Sequence, residues 1–181
     1  MCTRYRYLAI AFFIANAMIS CIKDVDFDQT QDIALTPELQ ADLLIFEVDS
    51  DDFSHPETGE YMNVIRDTVR LEFLDDDYIQ DNLQLVEFSF KWRNSFPQSF
   101  SNKISFLSEN NRIQHQINNT INPGRQNSVV QTEHIEVIGP DRINVIKNSI
   151  KMVVEIEVLQ NSTTFEGQLN FASKGLFSFE F

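Results

Sequence analysis

Along residues 150–159, Met152, Val154, Ile156 and Val158 alternate with Lys151, Glu155 and Glu157. Successive side chains leave an extended strand on opposite faces. A period of two therefore marks a strand with one face in a core and one in water. The pattern recurs through the chain after residue 36. Residues 65–74 set Val69, Leu71 and Phe73 against Arg70 and Glu72, and residues 83–93 set Phe88, Phe90 and Trp92 on one face. Leu83 and Leu85 belong to the opposite phase, which predicts a bulge near Val86. Further strands are expected over residues 43–48, 100–107, 112–117, 129–138, 168–171 and 176–181. Ser108, Glu109, Asn110 and Asn111 have the composition of a hairpin turn.

One stretch departs from this period. Gly139, Pro140 and Asp141 form a turn signal, and Ile143, Ile146 and Ile150 follow at near-helical spacing, so one short helix is expected near 141–148. Roughly eight short strands with almost no helix define an all-β chain, an antiparallel β-sandwich of immunoglobulin-like or jelly-roll topology. A closed barrel is the alternative. Acidic residues recur on the polar strand faces, which argues against a barrel in lipid. The 16 Phe residues, set beside five Gly and five Pro, suit a packed core rather than a disordered chain.

The first 20 residues read differently. Arg4 and Arg6 precede an apolar run over residues 8–19 in which Asn16 is the only polar member. That run falls short of the roughly 20 residues a helix needs to cross a bilayer. It ends at Met18, Ile19, Ser20 and Cys21. This ending resembles the lipobox of bacterial lipoproteins, with an aliphatic residue at −3, a small one at −1, and then Cys. Met18 stands where Leu is usual, and Ser20 fits. The resemblance implies a signal peptide over 1–20, cleavage between Ser20 and Cys21, and acyl chains such as palmitate on Cys21. Lys23 and Asp24 resemble the surface-export signal of Bacteroidota lipoproteins, with Val25 interrupting its acidic pair. That implies an outer-membrane, lipid-anchored protein on the periplasmic or the cell-surface face. The other reading of the leader is ordinary secretion with a coincidental Cys at the cut. Residues 21–36, polar and rich in Asp, are expected to be a flexible tether to a β-sandwich domain over 37–181. Asp24, Asp26, Asp28 and Asp32 have calcium-loop spacing, but Gln29 stands where that loop needs Gly and Leu35 where it needs Glu.

Charge and cysteine usage narrow the chemistry. The chain has 14 basic and 27 acidic side chains, and its leader holds two of the basic ones and no acidic one. Such a field repels nucleic acid, so no nucleic-acid partner is expected. Cys2 departs with the leader and Cys21 is the lipid site, which leaves no disulfide, thiolate nucleophile or Cys-based metal site. His55, His115 and His134 are not spaced as ligands and read as isolated strand or loop residues, with His115 on the core side of an edge strand. Asp49, Asp51 and Asp52 follow the first strand, and Asp75, Asp76 and Asp77 follow the second. They are weak candidates for calcium and read first as solvated loop charges, so no metal and no cofactor is assigned. No Gly-x-Ser-x-Gly, Gly-rich phosphate loop or Ser-x-x-Lys occurs. Trp92 with Phe88 and Phe90 reads as core before it reads as a glycan platform. The expected function is a lipid-anchored cell-envelope protein, a noncatalytic binding or assembly module with a protein or glycan partner. The alternatives are a small secreted carbohydrate-active enzyme and a calcium-stabilised adhesion domain.

Overall fold

The computed structural model describes residues 36–125, 128–159 and 165–181. The expected leader, its Ser20 and Cys21, and the tether through residue 35 lie outside the described residues. Among those described, the strands are β1 (Glu38–Asp49), β2 (Val64–Arg70), β3 (Leu83–Asn94), β4 (Phe100–Leu107), β5 (Ile113–Ile121), β6 (Val130–Ile138), β7 (Lys151–Val158) and β8 (Gln168–Phe179). Two short helices, α1 (Asp77–Asn82) and α2 (Asn144–Lys147), join them.

The strands form two antiparallel four-stranded sheets, in the orders β1-β8-β3-β6 and β2-β7-β4-β5. The first strand pairs with the last, the second with the seventh, the third with the sixth and the fourth with the fifth. The chain is thus one long hairpin. It is rolled so that β8 also pairs with β3, and β7 with β4. Only the β4–β5 connection stays within a sheet. This is jelly-roll order, and it decides between the two sandwich topologies that alternation leaves open. The β4–β5 turn falls at the expected residues: Asn111 N donates to Ser108 O at 2.9 Å, and Asn111 takes φ 57°, a left-handed conformation that Asn tolerates.

Alternation sends Phe88, Phe90 and Trp92 of β3 inward, where all three are fully buried. Phe88 meets Phe106 of the opposite sheet with ring centroids 4.7 Å apart. Trp92 is therefore core and not a platform. Each such side chain contributes about 1.5–3 kcal/mol by leaving water. The phase change near Val86 appears as a register shift between Leu83 and Leu85. The expected short helix is present as α2, which buries Ile146 and is flanked by buried Ile143 and Ile150.

The structure departs from the sequence reading in three places. Residues 65–74 alternate as one strand, yet β2 ends at Arg70 and Glu72–Asp75 form a 3-10 turn. Leu71 and Leu74, three residues apart, both turn into the core there, and Leu71 N donates to Ile150 O at 2.8 Å. Helix α1 then starts where the sequence reading has only solvated aspartates. The two carboxy-terminal segments, 168–171 and 176–181, are one strand that ends at Phe179.

Candidate functional site

The outward face of the β2-β7-β4-β5 sheet carries a groove of about 640 Å³. Its floor is built around Glu155 on β7. In the strand register Glu155 lies directly opposite Arg66 on β2 and Lys103 on β4. Opposite charges in directly paired positions attract across a sheet. Arg66 Nη2 donates to Glu155 Oε1 at 2.6 Å, and Lys103 Nζ lies 2.6 Å from Oε2. Burial pushes the Glu155 carboxyl up, but the hydrogen bonds and charges of Lys103 and Arg66 outweigh it and hold the group below its ordinary value. The Glu155 side chain is only 15% exposed, whereas Arg66 and Lys103 remain 64% and 41% exposed. The carboxylate therefore orients two cations whose outer sides face solvent.

A third cation sits further along β7. Lys151 lines the same groove and donates to Asn111 Oδ1 at 2.8 Å. Thr68 and Ser105 add hydroxyls to the lining, and Leu107, Ile113 and Val153 add apolar surface. The groove thus gathers three basic side chains, two of them on one carboxylate, in a chain of net charge −13. It also overlies the two central strands. Both β7 and β4 are paired on either side, so their backbone groups are held in the ladders. Anything bound there must be recognised by side chains.

The sequence reading missed this site. Lys151 and Glu155 were visible in it only as the polar face of a strand. Arg66 and Lys103 join them through pairings between strands far apart in the chain, for which no local pattern exists.

A second polar cluster lies on the inner side of the sandwich, where the edge strands β5 and β6 face each other. His115 Nε2 lies 3.0 Å from Glu136 Oε1, and His134 Nε2 lies 3.6 Å from Oε2, beyond hydrogen-bond reach. Arg142 Nη2 stands 3.7 Å from Oε1. His115 does face the core side of an edge strand, but His115 and His134 are not isolated, because they share one carboxylate. Charged groups turned inward on edge strands discourage pairing with another chain. His55 is apart from them: its Nδ1 accepts from Glu57 N at 3.3 Å within its own loop.

The aspartate candidates are divided between the two ends of the sandwich. Near the first group, Phe53 packs against Phe100 at the start of β4. Near the second, Leu71 is bonded to Ile150, whose N donates to Leu107 O at the end of β4. Within the first group, Asp49 Oδ1 accepts from Asp51 N at 2.8 Å, and Asp52 Oδ2 accepts from Asp49 N at 2.9 Å. In the second, Asp76 Oδ1 caps α1 by accepting from Tyr78 N and Ile79 N. Asp49, Asp51 and Asp52 therefore cannot share a site with Asp75, Asp76 and Asp77. Among the described residues no group of three or more His, Cys, Asp or Glu side chains is arranged to hold a metal ion.

No protein-family model matches the chain, and no curated protein matches it in sequence. Solved structures resemble it. A candidate secreted protein from Parabacteroides distasonis ATCC 8503 aligns at TM-score 0.46 and 15% identity, over 62% of this chain and 36% of that one. The VP2 subviral particle of infectious bursal disease virus aligns at TM-score 0.40 and 10% identity, over 82% of this chain and 33% of that one. The enzymatically active domain of tailspike protein 4 from bacteriophage CBA120 aligns at TM-score 0.40 and 12% identity, over 79% of this chain and 19% of that one. The chain thus spans about a third or less of these proteins' lengths. Among the described residues, no helix is long and apolar enough to cross a membrane.

Proposed function

We propose that this protein is a noncatalytic binding module of the cell envelope, held to the outer membrane by a lipid on Cys21, with the groove over Glu155 as its binding surface. The observation that carries the binding role is the set of three cations, Arg66, Lys103 and Lys151, gathered on one sheet face of an acidic chain. A surface that only had to stay soluble would have no need to concentrate charge of the minority sign. The carboxylate that holds two of these cations in place makes the surface preorganised, which lowers the entropic cost of binding. The anchor rests on the short apolar run over 8–19 and on Ser20 and Cys21 at its end.

Three measurements test the reading. Fatty-acid labelling of the wild type and of Cys21→Ala should give label on the first and none on the second; an unlabelled wild type refutes the anchor. Protease treatment of intact cells then separates the cell-surface face from the periplasmic face. The full chain carrying Cys21→Ala should bind isolated envelope preparations saturably, and the further double change Arg66→Ala/Lys103→Ala should abolish that binding. Binding that persists in the double variant refutes the groove as the binding surface.

A further inference from the structure

We infer that the ligand of this groove is an acidic saccharide, a short chain of sugar rings bearing carboxylates; the inference rests on the groove being the binding surface proposed above. The charge in the groove is cationic but sparse. The row of Arg66, Glu155 and Lys103 is separated from Lys151 by the row of Thr68, Val153 and Ser105. Such a lining pairs with spaced anionic groups that have neutral hydroxyls between them. A uronate chain has this distribution. A polyanion whose charges have no hydroxyls between them does not.

The planar guanidinium of Arg66 has five donors and the ammonium of Lys103 has three. Glu155 engages one side of each and leaves the exposed sides for a carboxylate, with which charge-assisted hydrogen bonds are short and strong. Leu107, Ile113 and Val153 offer apolar surface to the C–H faces of sugar rings. A peptide recognised by strand addition needs a free sheet edge. The groove lies instead over β4 and β7, whose two edges are already paired. Its volume of about 640 Å³ also lies in the range of about 300–1,000 Å³ typical of small-ligand sites.

The test is calorimetric titration of the full chain carrying Cys21→Ala with oligogalacturonate, oligomannuronate and a sialylated oligosaccharide. The methyl ester of each bound oligosaccharide and a poly-glutamate peptide serve as comparisons. At least one acidic saccharide should bind. Methyl esterification, Arg66→Ala and Lys151→Ala should each weaken it about tenfold or more, the loss of one charge-assisted contact. Lys91→Ala, on the other sheet, should leave it unchanged, and melting curves confirm that each variant is folded. No binding to any of the three saccharides overturns the inference, as does equal binding of acid and ester, or tighter binding of poly-glutamate. If the saccharides fail while envelope binding still depends on Arg66 and Lys103, the ligand class falls and the binding module stands. If both fail, the binding module falls too.

Discussion

His115 on β5 and Glu136 on β6 meet across the two sheets, with Nε2 and Oε1 3.0 Å apart. Among the described residues these strands are the edges of opposite sheets, and no strand connects them laterally. Side chains must therefore close that side of the sandwich. Replacing Glu136 with Ala leaves His115 without its hydrogen-bond partner. The expected cost is about 1–3 kcal/mol. Calorimetry should show it as a fall in Tm of about 2–4 °C per kcal/mol for a domain near this size. Glu136→Gln, which keeps an acceptor, should lose less. Equal losses would show that the contact itself contributes nothing.

Glu155 predicts a pH dependence. Its carboxyl is held below its ordinary value of 4.5, so its ionised form stabilises the fold. That contribution is fully present above the unfolded-state value and is lost as pH falls through the folded one. Urea midpoints of wild type and Glu155→Gln should thus differ at pH 7 and converge on acidification below about 4. A gap that stays constant down to pH 3 refutes the assignment.

Phe88 is fully buried and touches Phe90, Phe106 and Phe177. Phe88→Ala should cost about 3–5 kcal/mol, combining lost burial with the cavity left behind. Phe88→Leu should recover a large part of it. Denaturant titration reads both, and a cost for Phe88→Ala under about 1 kcal/mol would show that the ring is not packed between the sheets.

Asp76 acts on the backbone. Asp76→Ala should remove the cap of α1 and cost about 0.5–2 kcal/mol. Adding calcium should leave the Tm of the wild type unchanged, since the two aspartate groups lie at opposite ends of the sandwich. A clear rise in Tm with calcium, abolished by Asp76→Ala or by Asp52→Ala, would contradict this account.

The sequence by itself determined which residues extend and which face of each strand is buried. The direction of a side chain in a strand is a local property, and alternation reports it directly. Met152, Val154, Ile156 and Val158 identify β7 and its inner face without any knowledge of its neighbours. The α2 turn and the β4–β5 hairpin were legible for the same reason, since both close over a few residues. Local reading failed where a distant contact overrides the pattern, as when Leu74, out of phase with Val69 and Leu71, turns inward to fill the core.

Tertiary structure alone decided what the strands bring together. Glu155 faces Arg66 because β2 lies beside β7, a contact 89 residues apart in the chain. His115 reaches Glu136 only because the rolled hairpin sets β5 over β6. Partner strands are chosen by the closing of one shared core, and no window of sequence contains that choice. The minority basic residues looked scattered along an acidic chain, and the register of two sheet ladders gathers three of them into one groove.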